Sequence, residues 1–284
     1  MIQDHPTPSD RPVLLSVPNR PGLVLRLLDD AQARGRLVVG LDELVAASGL
    51  TPLAVKRQLE HVGVGGRVKR LPGRKSSYLI IPPEHRVRGA PPVDRWLEAY
   101  FRLRGQAYYL GLLSAAAKHG SSQQAVQVVQ VITEKPMRPI TLSRVRLEFH
   151  VKVGLHRTPL AEIRGLPAAL AISSAAATAL DLTTFSKSVG GMARAVEVIA
   201  GLLPAIDAAG LRQALAVEPM VTAKQRMGYI FDILGAETLA NIVHQSLPRR
   251  TVRIPLQPAH PATGSPLSTR WNVVDNLGLK EQRA

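Results

Sequence analysis

The 284-residue sequence contains no cysteine. Disulfide bonds are therefore excluded, and so are metal sites built on thiolates. Because disulfides are typical of oxidising compartments, we expect a cytoplasmic location. The N-terminus, MIQDHPTPSD, has neither the basic start nor the apolar stretch of a secretory signal peptide, which agrees with this expectation.

The sequence also lacks an apolar run long enough to cross a membrane. Its most apolar stretch, residues 166–180, is shorter than the roughly 20 residues that a transmembrane helix needs. Asp181 follows this stretch at once. We therefore expect no membrane partner, although 45% of the residues are hydrophobic and can form a sizeable core.

Acidic residues are few compared with basic ones. The 36 Lys and Arg against 21 Asp and Glu give a formal net charge of +15 and a pI near 10.8. Such a charge is high for an enzyme of small metabolites and favours a partner made of phosphates. Since a membrane partner is not expected, nucleic acid is the preferred candidate.

Residues 41–62 have the pattern of two helices joined by a tight turn. Apolar residues mark one face of the first helix, and Gly49 is suited to ending it in the left-handed conformation. Thr51 can cap the second helix with its hydroxyl. Val55, Leu59 and Val62 then recur at helical spacing on one buried face. This helix-turn-helix pattern is typical of DNA-binding domains.

Two short strands are predicted directly after it, at residues 67–71 and 77–81, with a turn signal at Pro72 and Gly73. Such a hairpin is the wing of a winged helix. It carries basic residues and no acid; alone it could be a solvated loop, but its position favours contact with double-stranded DNA. The candidate DNA-binding residues are Thr51, Leu53, Lys56, Arg57, Arg67, Lys69, Arg70, Arg74, Lys75 and Ser76.

Prolines and glycines between residues 82 and 92 interrupt the chain, and we place a domain boundary there. Residues 1–90 are then a winged helix-turn-helix DNA-binding domain, and residues 91–284 a larger mixed α/β C-terminal domain. The predicted fold class is α+β. In the second domain the patterns predict a helix over 108–119, strands over 124–133 and 169–173, and late strands over 251–256 and 270–274.

Residues 144–153 alternate without a break, as in a half-buried strand. The apolar set that ends in Val151 and Val153 is predicted to be buried. The opposite set is predicted to be exposed, and its basic members Arg144, Arg146 and Lys152 are candidate partner-binding residues. An ordinary solvated strand face has the same pattern.

The sequence shows no arrangement that suggests catalysis. G-x-S-x-G and H-E-x-x-H motifs are absent, and no pair of histidines has metal-binding spacing. Asp181, at the end of an apolar helix pattern, is interpreted as a buried, hydrogen-bonded carboxylate. We therefore predict a protein that is not an enzyme, with no catalytic residue, metal or cofactor.

Four segments of the second domain are informative when they are taken together with their order along the chain. They are YYLGLLSAAAKHG at residues 108–120, VVQVITEK at 128–135, ITLSRVRLEF at 140–149 and SAAATALDL at 174–182. In sequence and order they resemble the core of the AbiEi antitoxin family, in which a winged helix also precedes this domain. The first segment resembles that family's first core helix. The family's wing commonly ends in Gly-Val-Tyr, whereas residues 74–77 precede Tyr78 here, so a DNA sequence preference cannot be transferred.

The resemblance implies two activities. Proteins of this family repress their own operon by binding inverted repeats at its promoter, and they counteract a nucleotidyltransferase toxin encoded beside them in abortive infection of phage. Two other hypotheses remain open: a winged-helix regulator whose second domain senses a small ligand, and a DNA-modifying enzyme with a winged-helix anchor.

Overall fold

The computed structural model describes residues 22–73, 76–121, 128–167, 169–258 and 260–281. Within these ranges the chain is a mixed α+β protein that divides into two compact units between Pro83 and Glu84. This division falls inside the proline-punctuated stretch, slightly before the boundary proposed from the sequence. No helix in the described ranges is long and apolar enough to cross a membrane.

The first unit combines helices with a small antiparallel sheet. The strands pair in the order β1-β3-β2, and Tyr78 lies opposite Val39 on one side and Arg70 on the other. Both strands expected after the helix-turn-helix pattern are present. The elements are α1 (Leu23–Ala33), β1 (Val38–Gly40), α2 (Leu41–Ser48), α3 (Pro52–Val64), β2 (Val68–Leu71) and β3 (Ser77–Ile80).

Local signals account for the junction between α2 and α3. Gly49 ends α2 with φ 66°, a left-handed conformation that favours glycine. Thr51 caps α3, since its hydroxyl accepts a hydrogen bond from the backbone N–H of Ala54 at 3.3 Å. Val55 and Leu59 are buried in the core of the first unit, as their spacing predicted. The opposite face of α3 is thereby left to solvent.

The second unit is larger and has its own apolar core. Its helices are α4 (Leu97–Arg104), α5 (Leu112–Lys118), α6 (Ala175–Thr184), α7 (Met192–Leu202), α8 (Ala208–Val217), α9 (Val221–Ile233) and α10 (Glu237–Gln245). Its strands are β4 (Tyr108–Leu110), β5 (Val128–Thr133), β6 (Ile140–Leu142), β7 (Val145–Val151), β8 (Ile254–Pro255), β9 (Leu267–Ser268) and β10 (Val273–Val274).

A mixed sheet with strand order β4-β5-β7-β6 organises the second unit. β5 and β7 are parallel, and the other neighbours are antiparallel. The prediction of a helix over 108–119 is therefore wrong for its first turn, because residues 108–110 form β4. In this strand Tyr109 lies opposite Ile132 of β5. Gly111 then passes so close to β5 that a Cβ atom there would lie 2.7 Å from Cγ1 of Ile132, and α5 begins at Leu112 with φ 51°.

The alternation predicted for residues 144–153 holds only at the beginning of β7. Val151 and Val153 are 39% and 85% exposed, whereas only 14% of the Lys152 side chain is exposed. The prediction that the side chain of Lys152 is exposed is therefore wrong. The reason is tertiary: Asp181 of α6 bonds Lys152, and the ring of Phe185 lies 5.8 Å from that of His150, so α6 covers this face.

Two further expectations differ from the structure, and one helix was not expected. Residues 169–173 make isolated bridges rather than a strand of their own, and the late strands are shorter than expected. Helix α8 was not anticipated, although Asp207 caps it by accepting a hydrogen bond from the N–H of Gly210 at 2.8 Å. Residues 124–127 of the expected strand 124–133 lie outside the described residues.

The C-terminal segment packs onto α9. The side chain of Trp271 is fully buried, and the Gln225 amide donates to the carbonyls of Val252 and Trp271, both at 2.8 Å. The Trp271 ring lies directly against Gly228, where a Cβ atom would be 2.0 Å from a ring carbon. The segment after residue 250 is therefore part of the core of the second unit.

We expect Gly228→Ala to destabilise the second unit, because the ring of Trp271 must move or lose its packing. Overpacking of this kind costs about 1–3 kcal/mol in the free energy of unfolding, measurable by denaturant titration. Gly63→Ala is the matched control, since a Cβ atom at this helical glycine meets only ordinary contacts. Equal stability of wild type and Gly228→Ala would contradict the close packing.

Candidate functional site

The exposed face of α3 carries the candidate residues that were placed on the second helix of the helix-turn-helix pattern. Leu53 is 59% exposed in its first turn, and Lys56 and Arg57 are exposed one turn later. Among the described residues, Lys56 and Arg57 form no ion pair. The face thus combines a large apolar side chain with two free cations.

Arg57 also borders a cavity of about 420 Å³ between the beginning of α1 and α3. Gly22 and Leu25 line it from one side, and Gln58 and His61 line it from α3. Gln58 fixes this junction, because its side-chain oxygen accepts a hydrogen bond from the N–H of Val24 at 3.2 Å. Arg57 therefore lies beside the start of α1 rather than at the centre of the exposed face.

The basic residues of the hairpin are not equivalent. On β2, Arg70 is exposed and Lys69 is partly exposed, and neither forms an ion pair with a described residue. Arg67, just before β2, is bonded to Asp29 of α1. Because this pair neutralises it, we expect Arg67 to contribute less to phosphate binding than the sequence suggested.

Arg74 and Lys75, both placed at the tip of the hairpin, lie outside the described residues. Ser76 is described and half-buried, and its carbonyl accepts a hydrogen bond from the N–H of Leu41 at 2.8 Å. The backbone of Ser76 therefore ties the end of the hairpin to the beginning of α2.

In the second unit, the three candidate partner-binding residues have different environments. Arg144 is exposed, and Arg146 is exposed while forming a pair with Glu148 at 2.9 Å. Lys152 is not part of this surface, because its ammonium group is held inside the unit. The structure therefore keeps Arg144 and Arg146 together on the surface and removes Lys152 from it.

Lys152 belongs to a buried ion cluster, formed by Tyr109, Lys152, Asp181 and Glu218. Lys152 Nζ lies 2.7 Å from Asp181 Oδ1 and 3.2 Å from Glu218 Oε2. The Tyr109 hydroxyl donates to Asp181 Oδ2 at 2.8 Å. The Asp181 and Glu218 side chains are 0% and 3% exposed. One lysine is thus shared between two buried carboxylates.

Burial and charge act together on the pKa values in the ion cluster. Burial alone would lower the pKa of Lys152, but the two adjacent carboxylates outweigh it and raise that pKa. Complete burial raises the pKa of Asp181, and Glu218 acts in the same direction against the opposing influence of Lys152. Burial and the neighbouring Asp181 also raise the pKa of Tyr109, which keeps its hydroxyl a donor.

The ion cluster joins four elements that are far apart in sequence: β4, the end of β7, α6 and the turn between α8 and α9. The sequence had indicated only Asp181, which is buried and hydrogen-bonded as interpreted. The sequence pattern placed Lys152 on the wrong face of its strand. It gave no indication that Glu218 and Tyr109 belong to a buried cluster. Among the described residues, no group of three or more His, Asp or Glu is arranged to hold a metal ion.

Residues 109–233 match the family model described as the AbiEi antitoxin C-terminal domain. The match includes every member of the ion cluster. The resemblance seen in the sequence is thereby confirmed over these residues: this part of the chain is similar to the C-terminal domain of AbiEi antitoxins, which supports a role in a toxin–antitoxin system.

The chain is also similar to a solved structure, described as the crystal structure of the RV2827C protein from Mycobacterium tuberculosis. The two share 20% sequence identity with a TM-score of 0.64, over 93% of this chain and 94% of the other. At this identity the similarity concerns the fold. No significantly similar protein is found among those with curated descriptions.

We expect Lys152→Ala to destabilise the second unit strongly, because it leaves two carboxylates buried without a cation. Removing one partner of a buried ion pair costs about 3–5 kcal/mol. Arg146→Ala breaks an exposed pair and should cost less than about 1 kcal/mol. Denaturant unfolding of both variants checks this difference, and similar losses would show that the ion cluster is not a major support of the fold.

Proposed function

We propose that this protein is a DNA-binding autorepressor and an antitoxin that counteracts a nucleotidyltransferase toxin. The observation that carries the proposal is the AbiEi antitoxin domain over residues 109–233, preceded by a separate basic unit. Binding measurements test the DNA-binding role, and growth experiments test the antitoxin role independently.

The DNA-binding half rests on the first unit. A capped helix α3 follows α2 after a short turn and exposes Leu53, Lys56 and Arg57, and a hairpin with Lys69 and Arg70 comes next. This order and pairing support a winged helix-turn-helix, in which α3 enters the major groove and the hairpin contacts the backbone. A net charge of +15 favours the same partner. The target would be inverted repeats in the promoter of the protein's own operon.

Phosphate contacts by the hairpin predict a change in salt dependence. We expect Lys69→Ala and Arg70→Ala each to weaken binding to all DNA sequences and to flatten the salt slope by about one unit, because each neutralised phosphate contributes about −0.9. The measurement is binding to operator and random duplexes over a range of salt concentrations. Arg164→Ala, an exposed cation of the second unit, is the control. Unchanged salt slopes in both hairpin variants would contradict the proposal that the hairpin contacts the DNA backbone.

Arg57 should behave differently, because it projects from α3. If it contacts a guanine, Arg57→Ala should reduce the discrimination between operator and random DNA by about 1–3 kcal/mol. Lys56→Ala, one residue away on the same exposed face, is the comparison. Equal weakening of Arg57→Ala on both DNAs would show that Arg57, beside the start of α1, contacts only phosphate.

For the antitoxin half, we propose that Arg144 and Arg146 contribute to the surface that meets the toxin. Growth of cells that express the toxin with the full-length antitoxin should be rescued by wild type and less well by the Arg144→Glu and Arg146→Glu double variant. Arg164→Glu, at an exposed position elsewhere in the same unit, is the control for charge. Full rescue by the double variant would exclude this surface but leave the antitoxin proposal intact.

A further inference from the structure

The first turn of α3 carries a leucine that does not contribute to the core of the first unit. Leu53 is 59% exposed, and it is not among the apolar residues that form this core or pack against it. Pro52 begins the helix directly before it, and the hydroxyl of Thr51 caps the same turn. These two neighbours fix the start of the helix, so the apolar surface of Leu53 is left to an external contact.

The position of Leu53 around the helix distinguishes it from an ordinary exposed leucine. At about 100° per residue, Leu53 lies between Lys56 and Arg57 when α3 is viewed down its axis, on the side away from the buried Val55. Both cations are exposed and form no ion pair with a described residue. An apolar group with a positive charge on either side matches a groove that has phosphates along its edges and bases at its floor.

The chemistry of a leucine side chain restricts what it can recognise in the major groove. Leu53 can neither donate nor accept a hydrogen bond, so the polar groups of the bases offer it nothing. The apolar group that projects into this groove is the C5 methyl group of thymine, and apolar side chains contact it in direct readout. Because the first turn of a recognition helix reaches the base edges, Leu53 matches thymine among the four bases.

We propose that Leu53 packs against a thymine methyl group in each half of the operator and makes the protein prefer thymine at that position. The inference deepens the proposed function and rests on it, because it requires α3 to enter the major groove. It assigns the apolar part of the sequence readout to Leu53, while Lys56 at the side of the helix contacts phosphate.

Replacing thymine by deoxyuridine tests this contact, because it removes only the methyl group and leaves base pairing intact. The probe is a duplex of the promoter upstream of the protein's own operon, in which thymines are replaced one at a time. We expect the full-length protein to bind about fourfold more weakly when the contacted thymine of a half-site is replaced, as for the loss of one buried methyl group. An unchanged affinity at every replaced thymine would overturn the proposal.

Variants at position 53 assign the effect to this side chain. Leu53→Ala should bind the unmodified promoter more weakly and should no longer distinguish thymine from deoxyuridine at the sensitive position. Leu53→Met keeps an apolar side chain of similar volume and should keep the difference. The salt slope of Leu53→Ala should equal that of wild type, because no phosphate contact is lost. If Leu53→Ala shows the same fourfold effect as wild type, another residue contacts the methyl group and the proposal fails.

Val64→Ala is the matched control, because Val64 is another exposed apolar residue of the same helix, at 90%. It is the last residue of α3 and lies about 16 Å along the helix from Leu53, too far to contact the same base pair. Its replacement should leave the affinity and the deoxyuridine effect unchanged. Loss of the deoxyuridine effect in Val64→Ala would overturn the assignment to Leu53.

The outcomes also separate this inference from the proposed function. If wild type binds the promoter no more tightly than random DNA, the DNA-binding role fails and the inference fails with it. If wild type binds specifically and Leu53→Ala binds equally well, only the inference fails. Unchanged promoter binding by Leu53→Ala together with weaker rescue in the growth assay would show that Leu53 contacts the toxin instead of DNA.

Discussion

The sharing of one lysine between two buried carboxylates is the constraint on which the second unit depends. Lys152 lies at the end of a strand, Asp181 in a helix and Glu218 in a turn between helices, so the three charges can meet only if sheet and helices have their observed arrangement. A buried charge without a partner is far more costly than a buried pair. Tyr109 completes the ion cluster by donating to Asp181. A packing that separated these elements would therefore leave at least one buried charge without a partner.

The contrast with the other cations of the chain is informative about function. Lys152 is buried and paired, and Arg67 is paired with Asp29, so the charges of both residues are engaged in contacts within the fold. Lys56, Arg57 and Arg70 are exposed without a partner among the described residues, so their charges are available to an external anion. A strongly basic composition thus indicates a class of partner, but only the pairing inside the structure shows which cations can reach it.

Much of the first unit was predictable because its signals are local. The left-handed Gly49, the cap at Thr51 and the spacing of Val55 and Leu59 depend on neighbours within one or two turns of helix, and each is present as expected. Prediction was weaker in the second unit. Residues 108–110 have the apolar pattern of a helix, yet they pair with β5, because long-range contacts override local preference in a short apolar segment.

The sequence by itself determined the helix boundaries at Gly49 and Thr51, the excess of positive charge and the order of segments that identifies the antitoxin domain, because these depend on residue type and spacing along the chain. The tertiary structure alone decided the face on which Lys152 lies. Strict alternation placed it with Arg144 and Arg146, but α6 brings Asp181 against the end of β7, and a buried carboxylate requires a cation.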